Sequence, residues 1–281
     1  MKQEDFDFFK ENGYLLLEQF LSDDEVARYV DVFERERRDF GRFWTNNGIW
    51  QTQYCQSLLT APEFDGIIRH PNVMAPLRDL MGGEPCFGQI CLNNMGPYQG
   101  ERVPGMTSWY GPVGRRWHRD GGARLMWREH PLRIGYMRLQ VYLTDVDETT
   151  HSFAISPEAI DQELLSKEDQ LARGGIRDLQ GRAGTGILFN ISCLHTVSIR
   201  PTQAERKTVG IYYGHRHREY HSDHTYIPPS LWRDHPDAEV RGFYGVLNGM
   251  TRTYLERTAG RGEVSANEAL EILDEIPPMK P

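Results

Sequence analysis

The chain has 281 residues, enough for one large domain or two small ones, and its 39% hydrophobic and 26% charged content is that of an ordinary globular protein. The net charge of −8 speaks against a binder of nucleic-acid backbones, and no stretch approaches the roughly 18 apolar residues that cross a bilayer. The acidic start MKQEDFDFFKENGY lacks the apolar core of a signal peptide, and Cys55, Cys86, Cys91 and Cys193 form no CxxC pair, so all four read as reduced thiols of a cytoplasmic protein.

In chain order, EDFDFFKENG (4–13) predicts a short helix stopped by Gly13, and GYLLLEQF a strand. SDDE at 22–25 predicts a capping box of Ser22 and Glu25, opening a helix to about Phe40 with Val26, Tyr29, Val30 and Phe33 on one stripe. HPNVMAPLRDLMGG predicts a helix from Pro71 to the glycines. From Pro85 the character is β: CFGQICLNNM, RIGYMRLQVYLTDV, GTGILFNISCLHTVS and RKTVGIYYGHR. In the second of these, Met137, Leu139, Val141 and Leu143 alternate with Arg138, Gln140 and Tyr142, which predicts a strand with two unlike faces. SPEAIDQELLSKEDQLARGG predicts a helical insertion with Ser156 as N-cap and Pro157 in its first turn. After residue 227 helices return, and SANE (265–268) caps the last, ended by Pro277 and Pro278. There is no repeat, low-complexity tract or linker. The expectation is a single α+β domain over 1–281: a helical part to about 84, a β-sandwich or open barrel over about 85–220, and helices again over about 228–276.

The β block carries the chemistry. In WHRDGG (117–122), His118 and Asp120 stand two apart, so an extended backbone points both the same way, and two glycines then let the chain turn off. Alone, this is more simply a hydrogen-bonded pair in a loop. His195, in FNISCLHTVS, is the best third ligand. Two histidines and a carboxylate on one side of a metal leave open positions, as in the facial triad of non-haem Fe(II) oxygenases. Arg206 lies on the next expected strand, with Thr208 on its face and Gly210 leaving that face clear. A guanidinium fork and a hydroxyl suit a carboxylate, which points to 2-oxoglutarate chelating the iron while its far carboxylate reaches Arg206; a surface Arg206 paired with Glu205 is the plainer alternative.

Together these segments resemble the phytanoyl-CoA dioxygenase family of Fe(II)/2-oxoglutarate-dependent oxygenases. The resemblance runs from about residue 6 to 220, through FFKENGYLLLEQFLSDDEVARY, WHRDGG, MRLQVYLTDVDETTHSFAISPEA and GTGILFNISCLHTVSIRPTQAERKTVGIYY. It implies a double-stranded β-helix (jelly roll, cupin-like) braced by helices. It also implies Fe(II) on His118, Asp120 and His195, 2-oxoglutarate as cosubstrate, and O2 as oxidant. In place of the Pro-Gly-Ser-His-like stretch usual in the family stands FAISPEA, which puts any transfer of substrate in doubt. Family-like halogenases have a small residue where Asp120 stands, so the expected reaction is hydroxylation, with desaturation, epimerisation or ring formation as alternatives. A non-catalytic cupin-like binding protein and a zinc hydrolase are the rival classes.

Gln140 and Tyr142, on the polar face of a central strand, either touch the cosubstrate or belong to a polar barrel interior. Trp44, Trp50, Trp109, Tyr110 and Trp127 either wall a pocket or, more simply, pack in the core; Trp117 is a neighbour of the iron or a core residue, and Tyr213 is a candidate for a further substrate contact. Arg115, Arg116, Arg119, Arg124 and Arg128 mark either an anionic small-molecule substrate or a solvated basic face. His215, His217, His221 and His224 have spacing compatible with zinc but fit a pocket mouth better. No nucleic acid, membrane or obligate protein partner is expected.

Overall fold

The structure is a computed structural model. It describes residues 1–47, 51–100, 117–120, 134–217 and 224–277. Trp50, Trp109, Tyr110, Trp127, Arg115, Arg116, Arg124, Arg128, His221 and Pro278 lie outside the described residues.

Helix α1 (Gln3–Asn12) ends at Gly13, whose φ of 75° lies in the left-handed region and whose N–H donates to the carbonyl of Phe9. A Cβ at Gly13 would sit 2.2 Å from Cys193 Sγ, so only glycine lets the chain turn here into β1 (Tyr14–Leu17). Helix α2 (Asp23–Asp39) has the expected capping box of Ser22 and Glu25 and buries Tyr29, Val32 and Phe33. Helix α3 (Pro71–Met81) starts on its proline, stops at left-handed Gly82, and buries Val73, Leu77, Leu80 and Met81.

The remaining strands are β2 (Thr45–Asn46), β3 (Gln51–Tyr54), β4 (Pro85–Met95), β5 (Met137–Tyr142), β6 (Ser152–Ile155), β7 (Arg177–Leu179), β8 (Gly186–Asn190), β9 (His195–Ser198) and β10 (Arg206–His215). Among the described residues they form a seven-stranded sheet in the order β1-β8-β5-β10-β4-β3-β2 and a three-stranded sheet in the order β9-β6-β7, with antiparallel neighbours throughout. This is the jelly roll. The large sheet has the two unlike faces that its alternation predicts. Met137, Leu139 and Val141 of β5, with Val209 and Ile211 of β10, pack into the main core with Tyr29, Phe33, Leu77 and Leu80 of the helices. The opposite faces of the same strands carry Arg138, Gln140, Arg206, Thr208 and Tyr212 into a cavity of about 310 Å³. Among the described residues no helix is long and apolar enough to cross a membrane. After residue 227 the chain forms the one-turn helix Pro229–Trp232, and the helices Ala238–Tyr244, Gly249–Thr258 and Ala266–Asp274 follow.

Two expectations are corrected. The insertion after Ser156 is helical only over Lys167–Gly174, capped by Ser166. The preceding backbone is tied elsewhere: Glu158 N–H donates to the carbonyl of Asn12 and Ile160 N–H to that of Lys10, so it braces the end of α1 instead of coiling. The cysteines are not all thiols, because Cys55 and Cys91 form a disulfide with Cα atoms 4.3 Å apart. The cause is register. Tyr54 opposes Leu92 in the antiparallel β3–β4 pair, so the following Cys55 comes level with Cys91. Cys86 and Cys193 remain free and buried, and burial pushes the Cys86 thiol up to about 12. A thiol titration of the denatured, unreduced protein should find two reactive cysteines and, after reduction, four. Cys91→Ser should cost roughly 3–4 kcal/mol, the closure entropy of the bridged loop, in a denaturant titration. Four reactive thiols without reductant would contradict the pairing.

Candidate metal centre

His118 and Asp120 are held by backbone, not by chance contact. His118 and His195 exchange N–H···O bonds of 3.1 and 3.0 Å, and the Asp120 N–H donates to the Ile191 carbonyl at 3.1 Å. The short segment thus adds itself to the start of β9. Arg119, between the two candidate ligands, is pinned by Glu158 and by the Ser192 carbonyl. Glu158 comes from the FAISPEA segment, so the stretch that departs from the family pattern here anchors the HxD motif.

The three side chains converge, with one ligand atom from each lying within 4.8 Å of the others. Nε2 of His118 is 3.3 Å from Asp120 Oδ1, and Nε2 of His195 is 3.3 Å from Asp120 Oδ2. Ligands about 2.1 Å from one ion and at right angles to each other stand about 3 Å apart, so little adjustment is needed to share a metal. His195 gives the clearer test of fit. Its Nδ1 lies 2.9 Å from the Cys193 carbonyl, to which it donates, so the ring is held with Nε2 toward Asp120. Its Nε2 is buried and has no hydrogen-bond partner among the described residues. A buried ring nitrogen left unpaired beside a carboxylate is unfavourable unless a cation lies between them.

Asp120 also accepts from the Tyr212 hydroxyl at 2.7 Å and from Arg138 Nη1 at 3.0 Å. Burial alone would raise its pKa, but His195, His118 and Arg138 together hold the carboxyl well below the usual range. Burial opposes the Arg138 charge too, and Tyr212 and Asp120 overcome it. The guanidinium lies 4.8 Å above the Tyr212 ring and donates to Gln140 Oε1 at 3.2 Å. Gly210 makes room for this group, since a Cβ there would stand 3.1 Å from Gln140 Oε1 and 3.2 Å from Arg138 Nη2.

Deeper along β10 sits Arg206, 5% exposed. Its Nε and Nη1 have no hydrogen-bond partner among the described residues, and neither have the hydroxyls of Thr208 and Thr196, which line the same cavity. Burial, with Arg138 and Arg200 nearby, pushes the Arg206 pKa down to about 10, so it remains a cation at neutral pH. A buried cation beside unused hydroxyls fits a carboxylate. Arg200, by contrast, is paired with Asp178.

Near Arg206, buried His151 has its Nε2 3.0 Å from the Gly96 carbonyl, and its Nδ1 accepts from the Arg200 N–H. Both nitrogens are therefore committed in the neutral form. Burial, reinforced by Arg206, lowers its pKa from 6.5 to about 4. The unfolded chain takes up this proton first. Stability should therefore fall as pH drops from about 6.5 to about 4, by on the order of 3 kcal/mol in full. Urea titrations across that range should give a shallower fall for His151→Gln than for wild type; parallel curves would contradict the assignment.

Other candidates fare differently. Gln140 lines the cavity. Tyr142 does not, because its hydroxyl donates to the Leu179 carbonyl and accepts from the Phe153 N–H, which makes it part of the packing between the sheets. Tyr213 is wholly buried in the main core and donates to the Ile68 carbonyl; its neighbour Tyr212 takes the cavity position. Trp44 packs on Phe33 and Tyr54 instead of walling the cavity. His224 reaches the cavity, while His215 and His217 have rings 5.8 Å apart. Among the described residues the converging metal-ligating group is His118, Asp120 and His195. Arg138 and Tyr212 went unassigned in the sequence, although period two puts them on the faces of Gln140 and Thr208.

A jelly roll with two histidines and one carboxylate at its mouth, and a buried arginine beside them, is the architecture of the non-haem iron oxygenases that use 2-oxoglutarate. The family model described as Phytanoyl-CoA dioxygenase (PhyH) matches residues 9–208, and the chain belongs to that family. It is an iron- and 2-oxoglutarate-dependent oxygenase. No curated protein matches the sequence. Among solved structures, the non-heme alpha ketoglutarate dependent carbocyclase SnoK from nogalamycin biosynthesis is 15% identical, with a TM-score of 0.63 over 78% of this chain and 86% of that one. EctD from S. alaskensis with bound Fe is 18% identical, with a TM-score of 0.61 over 82% of each chain. HygX from Streptomyces hygroscopicus with nickel, 2-oxoglutarate and hygromycin B bound is 17% identical, with a TM-score of 0.59 over 85% of this chain and 95% of that one.

Proposed function

We propose that the whole chain acts as one oxygenase domain that hydroxylates a C–H bond of a small organic molecule. His118, Asp120 and His195 would hold the iron, and Arg206 with Thr208 would hold the far carboxylate of 2-oxoglutarate. The observation that carries this reading is the buried Arg206, without an acid partner among the described residues, in the cavity that also opens on the triad. When bound, iron and 2-oxoglutarate supply the oxidant from O2, with succinate and CO2 released. The chain's own part is position and charge. Cys193 orients the His195 ring through its carbonyl, and Glu158 anchors the HxD segment through Arg119. Tyr212 and Arg138 fix the Asp120 carboxylate, and His195, His118 and Arg138 keep it ionised, so it is ready to ligate a metal. Gln140 accepts from Arg138 and keeps its amide NH2 for the cosubstrate. Asp120 occupies the position that a halide would need, which favours hydroxylation over halogenation.

The substrate is read as a small molecule, with no nucleic acid, membrane or obligate protein partner. Arg119, committed to Glu158, is not available to an anionic substrate. A cytoplasmic location is supported by the free thiols Cys86 and Cys193 and opposed by the Cys55–Cys91 bond.

The test is succinate release from the Fe(II)-loaded enzyme across a small-molecule library. Substrate-dependent succinate, abolished in His118→Ala and His195→Ala, is expected. Turnover surviving either change overturns the assignment, and chlorinated product overturns hydroxylation.

A further inference from the structure

Beyond the triad, one wall of the cavity is built from β3 and β4 with Asn47 just after β2, and its chemistry is uniform. Asn47, Gln51, Gln53, Gln89 and Asn93 all line it. Asp120 is the sole acid among the described lining residues, and Phe153 and Val197 are the main apolar ones. The two arginines there, Arg138 and Arg206, already have the tasks described above.

The carboxamides orient one another. Asn47 Nδ2 donates to Gln53 Oε1 at 2.6 Å, Gln51 Nε2 to Asn93 Oδ1 at 3.2 Å, and Asn93 Nδ2 to the Cys91 carbonyl at 3.2 Å. The Cys55–Cys91 bond ties the strands that carry them. This leaves the amide NH2 of Gln53 and the side-chain carbonyls of Asn47 and Gln51 without hydrogen-bond partners among the described residues. Donors and acceptors thus stand side by side with no net charge.

On the oxygenase reading above, we propose that this wall recognises a neutral, hydroxyl-rich portion of the substrate, such as a sugar or cyclitol ring. A hydroxyl both donates and accepts, as a carboxamide does, so adjacent hydroxyls pair with such a wall without introducing charge. An acyl chain pressed against it would leave each amide unsatisfied, at about 1–3 kcal/mol apiece. An ammonium group would find no carboxylate among the described residues of this wall.

The test is saturation-transfer NMR on the full chain loaded with Zn(II) and 2-oxoglutarate, using myo-inositol and methyl α-D-glucopyranoside against putrescine and decanoate. Transfer to the two hydroxyl-rich probes is expected, and Gln51→Leu/Gln53→Leu should weaken it about ten-fold through the lost hydrogen bonds. Gln53→Glu, nearly isosteric, should gain putrescine binding and keep the hydroxyl probes. Transfer to decanoate or putrescine alone, transfer to no probe, or hydroxyl-probe binding unchanged in the leucine variant each overturns the proposal. Thermal stabilisation by 2-oxoglutarate, recorded on the same samples, separates the two readings. Its absence in wild type would defeat the oxygenase assignment, whereas its presence with no probe binding would defeat only the substrate class.

Discussion

Arg206→Leu should weaken 2-oxoglutarate binding by roughly 30-fold or more and, at the same time, raise the melting temperature of the ligand-free protein. The two effects share one cause. Arg206 is a buried cation near Arg138 and Arg200, with Nε and Nη1 unpaired among the described residues. Without an anion, desolvation of the guanidinium opposes folding, and an apolar side chain of similar length relieves it by on the order of 1–3 kcal/mol. With 2-oxoglutarate present the sign reverses. Losing one partner of a buried charge pair costs about 2–5 kcal/mol of binding, or roughly 30- to 4000-fold in affinity. Arg206→Lys keeps the charge and loses the fork, so it should fall between the two. Calorimetric titration with 2-oxoglutarate and a melting curve without it check both halves. A leucine variant that binds 2-oxoglutarate normally, or that melts lower than wild type, would show that Arg206 serves the fold instead.

Asp120→Ala should lose iron binding and at least about a thousand-fold in succinate production, because it deletes the only anionic ligand of the triad. It should also destabilise the protein, by about 3–5 kcal/mol, since Arg138 would then be buried without its acid. The second loss hides the first in any simple activity assay. Asp120→Ala/Arg138→Leu removes the stranded charge and should recover most of the stability without recovering activity. Denaturant midpoints and succinate yields for wild type, the single variant and the double variant separate the roles. Activity returning with stability would mean that Asp120 is a structural partner of Arg138 and not a ligand.

The parts of this site that were legible in the sequence rest on period two. Alternation in MRLQVY separates Met137, Leu139 and Val141 from Arg138 and Gln140, and the structure divides them the same way. Alternation fixes a face but not what covers it. Tyr142 shares the face of Gln140, yet Leu179 and Phe153 of the small sheet claim its hydroxyl. Tyr213, one residue from the cavity-facing Tyr212, belongs instead to the face buried in the main core. The disulfide and the pairing of the wall carboxamides depend on β3, whose four residues QTQY carry no apolar alternation and pair with β4 only through long-range register. Ser156 carries an N-cap signature, but tertiary hydrogen bonds to α1 override the local preference. The role of Arg119 needed Glu158, which no local pattern connects to it.

The central claim is that two imidazoles and a carboxylate share one metal beside an arginine that takes a diacid. Anaerobic titration of the metal-free protein with Fe(II), followed by 2-oxoglutarate and monitored by visible absorption, tests it most directly. The account predicts one iron per chain, a charge-transfer band that grows to one equivalent of 2-oxoglutarate, and loss of that band in His195→Ala. A band undiminished in His195→Ala, or none in wild type with iron bound, would contradict it.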